Sequence, residues 1–364
     1  MLKIDGNYGT GGGQIIRTAL ALSTITQIPF EAHDIRKGKD DSGLKAQHLE
    51  CIKVLEKLCN AKAEDAELGS KTLKFFPGKI KGQSLSIDIG TAGSISLLLQ
   101  SLLLPCFFAD KKVKLDITGG TCVKWAMPYE YFENVLVPHL RKFCTKIDVK
   151  LLRQGYFPKG GGKIEISIVP KFELGNKSFE EFSSELRRLN LQIEQLNQGN
   201  LVQIKGIAHA SKDLQNAKVA EREAEVAKLL LSKLNCPVNI TSSYADAYST
   251  GTSITLWAIF SKNKEELDFS NPIIIGADAL GERGKSSEDV GKEVARSLLK
   301  SIDSKAPIDP HLSDNLIPWL ALFGGKIKVA EITNHCRTNI WVCEQFLGKI
   351  FEIDEKEKVI FTIF

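Results

Sequence analysis

The strongest constraint on the fold is an internal repeat. Residues 2–4 read as a strand, a glycine-rich turn follows, and residues 14–24 read as an apolar helix. Strand 30–35, amphipathic helix 44–58 and a strand pair ending at Phe76 close the unit. A second unit runs through strand 85–89, the turn Gly90-Thr91-Ala92-Gly93, helix 94–107, strand 113–117, the Gly119-Gly120 turn, helix 129–143 and strands 147–152 and 162–169. The carboxy-terminal residues repeat the pattern with helix 315–322, strand 326–331, helix 338–346 and strands reaching Phe364. Units of about 75–85 residues cannot each bury a hydrophobic face alone, so their recurrence predicts stacking around a shared core. The predicted class is α/β (α+β), built of βαβαββ units with helices inside a ring of sheets. The third unit reads as truncated.

Residues 182–306 break the register. Strand 201–208 leads to helix 217–234, strands 238–244, 253–260 and 272–277 follow, and helix 288–302 ends the segment. This predicts an inserted four-strand, two-helix α+β domain. The division is 1–181 for the first two repeats, 182–306 for the insert and 307–364 for the third repeat.

A chain of 364 residues suits two domains or one large domain with an insertion. Its net charge of +4 is mild, so a polyanion site must come from local clustering. No apolar run reaches membrane-spanning length, and no basic region precedes a long apolar stretch at the start. The eight cysteines include no C-x-x-C pair, which predicts reduced, buried thiols and a cytoplasmic protein.

Asp5 to Arg17 carries five glycines between strand and helix. Glycine lets another group approach the main chain, and a helix start beyond it favours anions. Arg17 can add a bidentate phosphate contact. The spacing is neither the dinucleotide pattern nor the P-loop, so a phosphate site of another kind or a bare strand-to-helix turn remain the alternatives. His335 stands apart from the other five histidines, in a polar turn of sequence Asn334-His335-Cys336-Arg337-Thr338-Asn339. There a helix start would keep the imidazole neutral and nucleophilic; the simpler reading is a capping turn with Thr338 or Asn339 as cap. His33, His48, His139 and His209 read as strand or helix positions, with His209 at an exposed strand end. Pro310-His311-Leu312-Ser313-Asp314-Asn315 reads as a helix cap through Ser313 or Asp314, or as a base-recognition loop. Arg36, Lys37 and Lys39 form a charged loop ahead of Gln47, and Gln100 is a lone polar residue in an apolar helix.

Taken in order, these pieces resemble the RNA 3′-terminal phosphate cyclase family. The matching segments are residues 5–17, 35–48, 67–70, 89–94 with Gln100, 119–128, 155–162, 312–314, and His335 with Thr338 and Asn339. The resemblance implies three βαβαββ repeats with one insertion, an architecture similar to that of enolpyruvyl transferases. It also implies an ATP-dependent reaction on RNA bearing a 3′-terminal phosphate, with His335 carrying a covalent AMP and a 2′,3′-cyclic phosphate as product. Carried over by position, Arg17, Arg36, Lys39 and Gln47 would bind phosphates. Pro128 and His311 would sandwich adenine, with Gln100, Leu312, Ser313, Asp314 and Asn315 nearby. A divalent metal, Mg2+ or Mn2+, is implied, with no ligand assigned.

The chain departs from the family pattern at four places. Thr10 replaces a Glu expected to help hold metal, Lys39 an Arg, His311 a Tyr and Asn315 a Gln. Two other classes compete. A non-catalytic cyclase-like protein of ribosomal RNA processing would lack the nucleophilic histidine. An enolpyruvyl transferase would give the His335 turn no role.

Overall fold

The computed structural model describes residues 1–263 and 267–364. Three of its four sheets share one design. In the first, Leu2–Asp5 runs parallel to Phe30–His33, which pairs antiparallel with Leu73–Phe76, itself antiparallel to Lys62–Glu64. The second repeats this with Ser84–Asp88, Val113–Gly119, Gly162–Pro170 and Cys144–Arg153. The third uses Ile193–Gln195, Gly325–Lys328, Val359–Thr362 and Phe351–Asp354 with the same pairing senses. The third unit is therefore complete: its first strand, Ile193–Gln195, is separated from its helix by the insertion.

The helices lie inside, as the repeat predicts. Gln14–Thr26 is buried along its whole length, and Ile95–Phe107 shows solvent only Leu97 and Gln100. A helix buried all round must be apolar on every face, which its Ile-Ser-Leu-Leu-Leu run supplies. These two helices, with Pro310–Phe323 and Asn334–Leu347, contribute to one continuous core. The stretch read as helix 129–143 is irregular: a short α-turn at Tyr129–Tyr131 widens into a π-turn at Phe132–Leu136 before Val137–Leu140.

The inserted unit has its own core between a sheet and the helices Val219–Leu231 and Ser287–Asp303. Its sheet order runs Val238–Ala245, Asn200–Ser211, Thr252–Ser261, Ile273–Leu280. Trp257 and Ile274 on that sheet pack into the main core. Phe182, Leu186 and Ile193 do so as well, so residues 179–195 sit with the repeats. We propose that the inserted unit begins near residue 200, beyond the boundary at 182 that the sequence suggests. Seven cysteines are buried, Cys236 is half-buried, and all eight are unpaired. No helix of the described residues is long and apolar enough to cross a membrane.

Candidate active site

The glycine-rich loop is zipped to its neighbours by main-chain bonds. Gly6 N donates to His33 O at 2.7 Å, Arg36 N to Gly6 O at 3.1 Å, and Gly38 N to Asn7 Oδ1 at 2.9 Å. A side chain at Gly6 would meet Ile35 Cα at 2.7 Å, so only glycine permits this approach. Tyr8 stacks on Trp341 with ring centroids 4.0 Å apart. The loop is thereby pinned across the start of helix Asn334–Leu347.

That helix starts earlier than its sequence suggests. Thr333 is the cap, accepting from Cys336 N at 2.9 Å, so neither Thr338 nor Asn339 caps it. His335 lies in the first turn, exposed to solvent. Gln14 fixes its ring and its main chain together. The Gln14 amide donates to His335 O at 2.7 Å, and its Oε1 faces His335 Nδ1. An amide oxygen can only accept, so Nδ1 carries the proton and Nε2 keeps its lone pair. Partial burial lowers the His335 pKa from its ordinary value, and the charges of Arg17, His311 and Lys39 lower it further. A neutral imidazole with a free Nε2 amid positive charge is suited to attack an anionic phosphorus centre.

Arg17 is buried behind the loop, where its Nε donates to Gln100 Oε1 at 2.9 Å. Burial pulls its pKa down to about 10, which leaves it charged at neutral pH. His48 fills the space below Gly13, where a Cβ would lie 2.4 Å from its Nε2. Its Nδ1 accepts from Lys45 N at 2.9 Å, and burial with the Arg17 and Arg36 charges pushes its pKa to about 3. His48 is therefore a neutral support beneath the loop.

Helix Pro310–Phe323 begins at Asp309, whose carboxylate accepts from His311 N and Leu312 N at 2.9 and 3.0 Å. The cap is thus Asp309, in place of Ser313 or Asp314, and residues 310–315 are helical where a loop was the alternative. Gln100 Nε2 donates to Asn315 Oδ1 at 3.1 Å, joining Arg17, Gln100 and Asn315 in one chain of bonds. Asp314 receives Thr333 Oγ1 at 2.5 Å, and burial raises its pKa to about 7. Gln100, Asp314 and Asn315 place polar groups in a common recess whose walls are otherwise mostly apolar, Met127, Phe132 and Trp319 among them.

The other expected residues divide. Arg36 and Lys39 sit on the loop facing the glycines, and Arg36 donates to Asp41 O at 3.3 Å through Nε and a terminal nitrogen. Gln47 Nε2 donates to Ser94 O at 2.8 Å. His311 is exposed and meets Tyr131 edge-on at 6.2 Å, while Pro128 is buried at the start of the same turn. Leu312 and Ser313 are fully buried, so the structure does not bring their side chains to the opening. Gln14 was not singled out by the sequence reading. Its signal was a polar residue directly after three glycines, at the first position of an otherwise apolar helix.

Thr10 lies at this opening as well, with Oγ1 3.7 Å and His335 Cε1 3.9 Å from where a Gly12 Cβ would sit. Among the described residues no three His, Cys, Asp or Glu side chains are grouped as a metal site.

The RNA 3′-terminal phosphate cyclase family model matches residues 8–353. The chain belongs to this family. It is 43% identical over 353 residues to the RNA 3′-terminal phosphate cyclase of Pyrococcus furiosus, covering 97% of this chain and 95% of that one. The protein of the same name from Methanosarcina acetivorans is 39% identical, with 98% of each chain covered. That of Pyrobaculum aerophilum is 38% identical, covering 98% of this chain and 95% of the relative. The family match spans the glycine loop, the recess and the His335 turn together.

Proposed function

We propose that this protein converts an RNA 3′-terminal phosphate into a 2′,3′-cyclic phosphate at the expense of ATP, through AMP bound covalently to His335. The observation that carries this reading is the Gln14–His335 pairing, which holds Nδ1 protonated and leaves Nε2 free amid Arg17, Lys39 and His311. Nε2 attacks the α-phosphorus of ATP; the N–P bond forms as the bond to pyrophosphate breaks. Arg17, with Arg36 and Lys39 on the facing loop, offsets the charge that develops on the phosphates. A terminal phosphate oxygen of the RNA then displaces the imidazole. The adjacent 2′-hydroxyl attacks the 3′-phosphorus, loses its proton and expels AMP. RNA ends carry this hydroxyl and DNA ends do not.

The recess of Gln100, Asp314 and Asn315 offers amide and carboxyl groups to a nucleobase edge, and exposed His311 offers a stacking face. A divalent ion arriving with the nucleotide remains part of this proposal, with Thr10 as the nearest position where the family pattern carries a carboxylate. None of the steps above is routed through it.

The test is incubation with α-labelled ATP followed by denaturing electrophoresis. Label should stay with the wild-type chain and be absent from His335→Ala. Equal labelling of both would overturn the assignment.

A further inference from the structure

Two segments that the sequence singles out, 119–128 and 155–162, reach the nucleotide recess only through the end of the first, at Met127 and the adjoining Pro128. They carry two of the most exposed aromatic side chains of the molecule, Trp125 at 93% and Phe157 at 74% exposure. The loops are tied together: Thr121 N donates to Gly155 O at 3.0 Å, and Cys122 bridges to Tyr156. The inserted unit closes on the same place. Lys159 N donates to Ser249 Oγ at 3.0 Å, and the Tyr248 ring lies on Gly161, where a Cβ would fall 2.3 Å from it. Arg153 sits over the Tyr248 ring at 4.4 Å and donates to its hydroxyl at 2.8 Å. The aromatics therefore stand on a braced shelf.

The shelf also carries cations. Among the described residues two neighbouring carboxylates are paired, Glu282 with Lys124 at 2.8 Å and Asp246 with Lys212 at 2.6 Å, while Asp213 accepts from Thr250 and Asp88 from Gly90 N. Exposed Lys159 and Arg283 are left without such partners. Exposed large aromatics among unpaired cations are the two components of a single-strand nucleic-acid platform: rings for base faces and charges for phosphates. A duplex hides its base faces and would use only the charges.

The shelf adjoins the site. Gly160 lies against the backbone of Thr91, where a Cβ would fall 2.5 Å from the carbonyl oxygen, and Gln47 reaches Ser94 O in the same turn. Ser96 Oγ donates to Met127 O at 2.7 Å, and Met127 lines the recess with Gln100.

We propose that this shelf docks the single-stranded segment leading to the RNA 3′ end, with bases on Trp125 and Phe157 and phosphates facing Lys159 and Arg283. It rests on the function above only in taking RNA as the substrate.

The test is fluorescence anisotropy of a roughly ten-nucleotide single-stranded RNA with a 3′ phosphate, a length within the site size of such platforms, without ATP. Trp125→Ala and Phe157→Ala should each raise Kd at least about fivefold, the low end of one stacked base. Lys159→Ala and Arg283→Ala should each flatten the log–log salt slope by about 0.7. Phe269→Ala, an equally exposed aromatic elsewhere, should change nothing. An unaltered Kd in the Trp125/Phe157 double variant would overturn the proposal, as would tighter binding of a blunt duplex than of the single strand. A change in sedimentation at constant RNA affinity would give the patch to self-association and also overturn it. Because ATP is absent, failure of His335 to take label would defeat the nucleotide reading and leave this measurement able to decide for the shelf.

Discussion

Two histidines in this molecule show how neighbours decide what an imidazole does. His335 stands at a helix start, open to solvent, with Gln14 holding Nδ1 and cations on the other sides. His209 is 1% exposed at the seam between the inserted unit and the repeats. Its Nε2 lies 3.2 Å from Glu130 and its Nδ1 2.7 Å from the Tyr156 hydroxyl. Burial is the largest influence on the Glu130 carboxyl and pushes it up, but His209, a main-chain hydrogen bond and Gln154 together bring it below the ordinary value of 4.5. Gln154 and Thr121 extend the network at 2.6 Å each. Partial burial, with the cations adding to it, keeps the first imidazole neutral and available. The Tyr156 hydroxyl holds the second in place, with the Glu130 carboxylate 3.2 Å away on its other side. The first arrangement suits a nucleophile, the second a tie between units.

Removing one side of each arrangement should separate the two roles most sharply at the seam. His209→Ala leaves Glu130 buried without its partner, which should lower unfolding free energy by about 3–5 kcal/mol. Adenylylation of the folded fraction should persist. Denaturant unfolding and α-labelled ATP on the same preparation check both halves, and loss of labelling in a still-folded variant would collapse the distinction. The wild-type protein should also lose stability as pH falls below 4.5, because a carboxyl whose folded pKa is lowered contributes above its unfolded value and loses that contribution on protonation.

At the other region, Arg17→Ala should weaken adenylylation by about 1.5–3 kcal/mol, the range for a lost charged hydrogen bond. Unchanged kinetics would mean that the glycine loop is only a turn. Gln14→Leu should reduce kcat about 10- to 100-fold, as loss of an orienting partner does elsewhere, with the KM for ATP nearly constant. A rise in KM alone would show that Gln14 binds nucleotide and leaves His335 to itself.

Much of this architecture was legible in the sequence because helix periodicity and glycine turns recur in two whole units. The start of the third was not. Ile193–Gln195 is a three-residue strand without a pattern of its own, and the insertion parts it from its helix. Helix starts were misplaced for a related reason. Asp309 before Pro310 and Thr333 before Asn334 are cap signals, but the polar clusters just inside each helix carry the same residue types and mask them. His335, Arg17 and Gln100 were visible as polar residues in unusual settings. The burial of His209 was not, since Glu130 and Tyr156 reach it only through the packing of two units.

Two smaller effects probe the His335 side further. Its lowered pKa predicts that the acid limb of the adenylylation rate lies below pH 6.5, since neutral imidazole is the reacting form. A limb at or above 6.5 would remove the electrostatic argument. Thr10→Glu should lower the Mg2+ concentration for half-maximal adenylylation, because an added carboxylate favours a hard divalent ion, whereas Thr10→Ala should change little. Identical midpoints in wild type and both variants would place Thr10 away from the metal.

The central claim is that one histidine of six is set for covalent chemistry. Mapping the modification decides it: the chain is trapped after incubation with ATP, proteolysed, and its peptides fragmented by mass spectrometry. AMP should be found on His335 and on no peptide containing His48, His139 or His209. AMP on any of those, or on a lysine, with His335 unmodified, would contradict the account.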